Sequence, residues 1–332
     1  MLQLIFGTSG SGKSYKIKSI IKEKILEEKK KIMLIVPEQY SFENEREILK
    51  ILGAKDCNKV EVMSFTRLTN LVFKRFGGRT GIRIDDALRN VLMSLAIEQS
   101  SENLLIYNDS TLSENLVGMM ISALKELKMC SIKIDELFSV SKEADNEILK
   151  RKLNDTAMIL STYDALLSQN YIDPLDDLTW LSEAVFDNNF FEGYTVLIDS
   201  FSGFTIQELK VIEQILIQSK ECYVSLCMDD IKNKKSELDL FAPVYKTADQ
   251  IIRIAKKNSV KIKPHIKLLD MPRYKSNDLK ALAKSIYRER GTESIKCEGD
   301  IFMFSASNLH SEAMFVSNTI KKLVVEDGYK YR

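Results

Sequence analysis

The chain has 332 residues, 45% hydrophobic and 29% charged, with 48 Lys and Arg against 47 Asp and Glu for a net charge of +1. That is long enough for two domains with sizeable cores, and the balance advertises no nucleic-acid partner, although a basic groove can sit inside a neutral total. No apolar run approaches the ~20 residues of a bilayer span, and the N-terminus reads as a strand, not a signal peptide. Cys57, Cys130, Cys222, Cys227 and Cys297 form no CxxC pair and are odd in number. Neither a disulfide framework nor a zinc site is expected, and reduced thiols in the cytoplasm are.

Leu2–Phe6 is an apolar run that predicts a buried strand. Gly7-Thr8-Ser9-Gly10-Ser11-Gly12-Lys13-Ser14 follows it and opens onto a helical pattern at Ile17, Ile20, Ile21, Ile25 and Leu26. Strand, glycine-rich loop and helix, in that order, are the context of a phosphate-binding loop. The glycines let the backbone curl so that its N–H groups converge on a polyphosphate at the helix N-terminus. Lys13 is then expected at the β/γ-phosphates of ATP, and the Ser14 hydroxyl on Mg2+. The alternative, a glycine-rich turn that merely contains Lys-Ser, explains neither the spacing nor the flanking elements. The charge-dense stretch from Lys22 to Lys31 reads as a solvated helix face.

Further strands are predicted at Ile32–Val36, Val60–Met63, Thr195–Ile198 and Cys222–Leu226, with helices around Glu43–Leu52, Thr66–Phe76 and Gln207–Ile217. Short β-branched runs alternating with helices predict a parallel α/β sheet. Between Gly81 and Gly193 the composition changes: Gly118 and Pro174 are the only breakers, and apolar residues recur at helical spacing, as in Leu116, Met119, Met120, Ala123, Leu124 and Leu127. This predicts an all-helical insertion over 81–192, between the two parts of one lobe at 1–80 and 193–260. Residues 261–297 are expected to form a helical linker, with helices near Asp249–Lys257 and Leu279–Glu289 on either side of its start. From 298 the pattern is a strand at Ile301–Phe304, a helix over Ser311–Val325, and a stop at Gly328. One strand and one helix cannot enclose a core, so 298–332 reads as the start of a second α/β domain in a longer protein.

Thr195-Val196-Leu197-Ile198-Asp199 is an apolar strand ending in Asp, which makes Asp199 the candidate magnesium-shell carboxylate. Where many ATPases carry Glu next, to polarise the attacking water, this chain has Ser200. Such a loss should cost roughly two to four orders of magnitude in hydrolysis. Glu38 and Asp229 are stand-ins by position, no arginine finger is assigned, and the catalytic residue is left unknown.

Three segments carry a resemblance: Ile35-Val36-Pro37-Glu38-Gln39-Tyr40-Ser41-Phe42-Glu43, Val62-Met63-Ser64-Phe65-Thr66-Arg67-Leu68, and Val196-Leu197-Ile198-Asp199-Ser200-Phe201-Ser202-Gly203-Phe204-Thr205. With the phosphate loop before them and Phe302-Met303-Phe304-Ser305-Ala306 after, this series resembles the N-terminal region of the AddB family, second subunits of AddAB-type ATP-dependent helicase–nucleases. The resemblance implies a RecA-like P-loop lobe of UvrD/Rec type and an AddA-type partner in a heterodimer. It also implies work on double-stranded DNA ends for break repair by homologous recombination, with help in recognising Chi. In that family AddB is not the unwinding motor, and its exonuclease site and iron–sulfur cluster lie beyond the region matched by this chain. By the same resemblance Glu38, Gln39, Tyr40, Ser64, Phe65 and Arg67 occupy loops that face single-stranded DNA in related motors, with stacking from Tyr40 and Phe65 and a phosphate contact from Arg67.

Other signals are thin. His265 and His310 have no metal-ligand spacing and are expected at the surface. Asp173-Pro174 reads as a loop, and Trp180 as core of the helical block or its contact with the sheet. Two rivals stand beside the main reading: a self-sufficient P-loop nucleotide kinase or ATPase, and a degenerate scaffold that binds no nucleotide.

Overall fold

The structure, a computed structural model, describes residues 1–26, 31–108, 114–230, 239–285 and 299–331. Its strands are β1 (Leu2–Gly7), β2 (Lys31–Ile35), β3 (Val60–Met63), β4 (Ile82–Arg83), β5 (Tyr171–Ile172), β6 (Tyr194–Ile198), β7 (Glu221–Cys227) and β8 (Ile266–Lys267). The first helices are α1 (Lys13–Ile25), α2 (Ser41–Asp56), α3 (Phe65–Phe76), α4 (Asp86–Ser100), α5 (Glu114–Met129) and α6 (Ile134–Glu143). They are followed by α7 (Glu147–Leu167), α8 (Asp177–Asp187), α9 (Ile206–Gln218), α10 (Ala242–Lys257), α11 (Asn277–Ser285) and α12 (Leu309–Val325).

Every strand expected in the α/β portion is present, and all pair in parallel in the order β3-β2-β6-β7-β1-β8. The strands are nearly continuous apolar runs because helices cover both faces of the sheet. On one face Ile17, Ile20 and Ile21 of α1 and Ile48 of α2 pack on Ile5, Leu34, Val62, Leu197 and Tyr223. On the other, α3, α8, α9 and α10 bury Leu68, Val72, Leu181, Val185, Ile212 and Ile251 against Leu4, Met33, Val196 and Val224. Alternation along each strand therefore assigns every residue to one helix layer or the other. Cys222 shows it: it faces the α9 layer while its neighbour Tyr223 faces α1, and burial pushes its thiol up to about 12.

Residues between β4 and β5 build a separate apolar cluster, in which Leu92, Met93 and Ile97 of α4 meet Leu116 and Leu124 of α5 and Leu160 and Tyr163 of α7. Trp180 takes the second of its two expected places, the contact with the sheet. Its ring stacks on Phe73 of α3 at 3.7 Å between centroids, against the sheet's core.

The compact unit containing the sheet runs through Asp270, ten residues past the expected limit of 260, because β8 pairs with β1 at Ile5–Ile266 and Phe6–Lys267. The second unit, Met271–Arg332, holds α11 and α12. Within it Asp278 accepts the N–H groups of Gly299 and Asp300, and Phe304 stacks on Phe315. The expected strand at Ile301–Phe304 is not formed among the described residues: the segment has no ladder partner. Gly328 does adopt the left-handed φ of 70° expected of a helix stop. Residues 286–289 of the predicted helix and Cys297 lie outside the described residues.

Candidate nucleotide-binding site

Parallel strands send all their following loops to one edge of the sheet, so the turn after β1 and the residue after β6 emerge on the same side. The turn is shaped by glycine: Gly10 and Gly12 take φ of 79° and 88°, and Gly12 leads straight into α1 with no side-chain cap on its first N–H groups. Those groups and the positive end of the helix are left for an acceptor. Gly7 is needed for a different reason: a Cβ there would stand 2.4 Å from Ser11 Oγ and 2.7 Å from the Leu268 carbonyl. Lys13 folds back over the turn, its Nζ donating to the carbonyls of Gly7 at 2.9 Å and Thr8 at 2.8 Å.

Ser11 Oγ is buried with no hydrogen-bond partner among the described residues. A buried hydroxyl without a partner costs about 1–3 kcal/mol, and an anion in the turn would supply one. With the uncapped helix N-terminus, Lys13 and the Ser14 hydroxyl, the donor set fits the polyphosphate of a nucleotide. The Mg2+ fit rests on Ser14 and Asp199. Oxygen ligands of this kind suit a hard cation that keeps most of its water.

Asp199 is buried, its backbone N–H donating to the Ile35 carbonyl at 3.0 Å. One strand, β7, separates β6 from β1, so Asp199 and the turn lie about two ladder spacings, ~10 Å, apart. The alternation that puts Leu197 in the α1 layer puts Asp199 there too. Two residues near it escaped sequence reasoning. Ser225 of β7 donates its hydroxyl to Asp199 Oδ1. Lys18, one helical turn past Ser14, is paired with Glu47 of α2. Burial pulls the Lys18 ammonium below its ordinary value, opposed by the charges of Asp199 and Glu43. Ser200 follows Asp199 in a left-handed conformation, φ 69°, with its side chain exposed.

The loops after β2 and β3 are braced together. Ser64 caps α3, accepting the Arg67 N–H at 3.1 Å, and donates its own hydroxyl to Glu38. Arg67 pairs with Glu45 of α2 at 2.6 Å while remaining 40% exposed. Gln39 and Tyr40 are exposed. Phe65 is not available as a stacking platform: it is 7% exposed, edge-on to Phe201 at 5.7 Å, and Phe201 in turn packs on Phe204. The amphipathic pattern of α3 makes its first residue a core residue. Two of the distinctive segments thus meet through aromatic packing.

Asp229 follows β7, where its Oδ1 accepts the hydroxyl of Tyr245. Asp173, read as an idle loop residue, is fully buried: it accepts from Arg89 Nη2 at 2.9 Å, Tyr163 Oη at 2.7 Å and the Leu175 N–H at 3.0 Å. Burial pushes its carboxyl up, but these donors hold it below the usual range. The network ties α4 and α7 to the turn before α8, and no sequence signal marks it. His265 is half-buried, edge-on to Phe6, because β8 lies beside β1; His310 is exposed as expected. Lys24 also departs from the solvated reading, since it pairs with buried Glu221. Among the described residues no group of His, Cys, Asp and Glu could hold a metal as a cluster, and no helix is long and apolar enough to cross a membrane.

A parallel sheet covered on both faces, whose first strand turns through a glycine-rich loop bearing Lys and Ser into a helix, has the layout of nucleotide-binding α/β proteins as a class. The particular family follows from comparison. The family model described as "ADDB, N-terminal" matches residues 4–283, and the chain belongs to that family. Among curated proteins it is similar to the B subunit of the ATP-dependent helicase/deoxyribonuclease of Clostridium tetani, 32% identical over 100% of this chain and 30% of the relative. The counterpart in Clostridioides difficile is 33% identical over 100% of this chain and 29% of the relative, and that in Clostridium kluyveri 32% over 100% and 29%. The chain thus spans about 30% of the length of the curated relatives it matches.

Proposed function

We propose that this chain is the Mg-ATP-binding, RecA-like lobe of an AddB-type protein, with α4–α7 of the expected 81–192 insertion as an inserted subdomain, α8 of that range packing on the sheet, and 298–332 as the beginning of a second motor lobe. The names of its relatives put them in an ATP-dependent helicase/deoxyribonuclease. For the whole protein the reading is a cytoplasmic heterodimer with an AddA-type partner that resects double-stranded DNA ends for recombination and responds to Chi. Its exonuclease site and iron–sulfur cluster belong to the length that this chain does not span.

The observation that carries the reading is the shared edge and shared face of the turn at Gly7–Ser14 and the carboxylate of Asp199. Backbone N–H groups and Lys13 would hold the phosphates, Ser14 and Asp199 the Mg2+, which supplies charge neutralisation between the β- and γ-phosphates. Lys13 would exchange its two carbonyl acceptors for phosphate oxygens. Ser200, exposed and without a carboxylate, supports binding with weak or no hydrolysis, so the lobe is not the unwinding motor. Gln39, Tyr40 and the exposed face of Arg67 are the proposed contacts to single-stranded DNA, with Glu38 and Ser64 as the brace beneath them.

Calorimetry with Mg-ATP tests this. Lys13→Ala should weaken binding by about 10–100-fold, the worth of hydrogen bonds from a charged group. Heat from neither protein would favour the degenerate scaffold, and steady phosphoryl transfer to a nucleoside monophosphate would favour the kinase.

A further inference from the structure

Three carboxylates stand at the edge of the sheet where the phosphate-loop turn emerges, and each is tied down by a hydroxyl: Glu38 by Ser64, Asp229 by Tyr245, and Asp199 by Ser225. The last tie is the most enclosed. Asp199 is 2% and Ser225 3% exposed, and β6 and β7 are in register with Ile198 opposite Val224, so the next pair along is Asp199 and Ser225. Both side chains therefore project from adjacent strands into the α1 layer, and their meeting is imposed by the ladder. Ser225 also lies opposite Ile5 of β1, so it stands between the carboxylate and the strand that feeds the turn.

The hydroxyl reaches Oδ1 only. A carboxylate oxygen that already accepts from a buried donor has one lone pair fewer and a fixed direction, which favours the other oxygen for contact with a cation or its water. Mg2+ is suited by that arrangement: it keeps several waters and takes one carboxylate oxygen at a time. Ca2+ gains more from bidentate carboxylates and a larger, more flexible ligand set. Lys18, paired with Glu47 of α2, lies near enough for the charge of Asp199 to act on its ammonium.

We propose that Ser225 is a positioning residue that confines Asp199 to single-oxygen engagement of a divalent cation and so sets a preference for Mg2+ over Ca2+. The proposal rests on the reading of Asp199 as the magnesium-shell carboxylate. No signal in the sequence picks out Ser225, a small polar residue in the middle of an apolar strand. Its value comes from the strand beside it.

The test is binding of a fluorescent ATP analogue to the full chain, titrated with Mg2+ and separately with Ca2+. The proteins compared are wild type, Ser225→Ala, Ser225→Thr and Lys13→Ala. Wild type should favour Mg2+, and Ser225→Ala should lower the Mg2+/Ca2+ affinity ratio by about tenfold, the low end of one hydrogen bond to a charged group. Ser225→Thr, which keeps the hydroxyl, should retain the ratio. A residue with only a structural role would weaken both ions alike. An unchanged ratio in Ser225→Ala, with Lys13→Ala still weakening binding, overturns the role of Ser225 and leaves the nucleotide site standing. Wild-type binding that ignores both divalent ions and Lys13→Ala overturns both together. If the alanine variant does not fold, Ser225→Cys, with its weak donor, makes the same comparison.

Discussion

Glu221 links three parts of the lobe at the opposite edge of the sheet from the phosphate-loop turn, and its removal has a calculable signature. It begins β7, is 5% exposed, and faces Lys24 of α1 at 2.6 Å and Lys263, just before β8, at 2.9 Å. Burial alone would raise its carboxyl, but the two ammonium groups prevail and hold it at about 2, against an ordinary 4.5. A depressed folded-state value means stability that is complete above the unfolded value and lost as pH falls from 4.5 towards 2. The gap corresponds to about 3 kcal/mol. Because Lys263 is a third exposed, solvent screening reduces the expected net contribution to about 2 kcal/mol. Roughly a quarter should be gone by about pH 4 and about three fifths by about pH 3. Urea unfolding followed by the emission of Trp180, the single tryptophan, reports on this unit. Wild type should exceed Glu221→Gln in stability at neutral pH, and the difference should shrink as the solution is acidified through that window. A difference that stays constant from about pH 7 to about pH 3 would refute the ion-pair account.

Asp173→Ala should destabilise the lobe by about 3–5 kcal/mol in the same assay, because it leaves buried Arg89 without its buried partner; a loss under about 1 kcal/mol would show that Arg89 finds other compensation. Gly7→Ala should abolish nucleotide binding while far-UV circular dichroism stays native, since the added methyl collides with Ser11 and the Leu268 carbonyl; unchanged binding would mean the turn is not the site. Ser200→Gly should stabilise by about 1 kcal/mol by relieving the left-handed backbone after β6, read as a higher urea midpoint. In the intact heterodimer Arg67→Ala should weaken DNA-end binding and flatten its salt dependence; identical curves across salt would remove Arg67 from the interface.

Much of the lobe is legible in the sequence. Strands β1, β2, β3, β6 and β7 announce themselves because a sheet buried on both faces demands unbroken apolar runs, and parallel pairing follows from the helices between them. The turn at Gly7–Ser14 is legible because glycine, lysine and serine at that spacing between a strand and a helix have a mechanism. β8 is not: two residues, Ile266 and Lys267, carry no period, and pairing with β1 alone makes them a strand. The strand expected at Ile301–Phe304 failed for the converse reason. An apolar run becomes a strand only when another strand supplies its hydrogen bonds.

The one-dimensional pattern determines which residues are apolar, where the chain turns, and therefore the layers and the family. It does not determine which polar side chains meet. Ser225 beside Asp199, Lys24 and Lys263 around Glu221, Arg89 with Asp173, and Phe65 against Phe201 all join distant parts of the chain, and even Asp199 and Ser225 are 26 positions apart. Such pairs are set by strand register and helix packing, and a buried polar group draws its energy from whichever partner the fold carries to it.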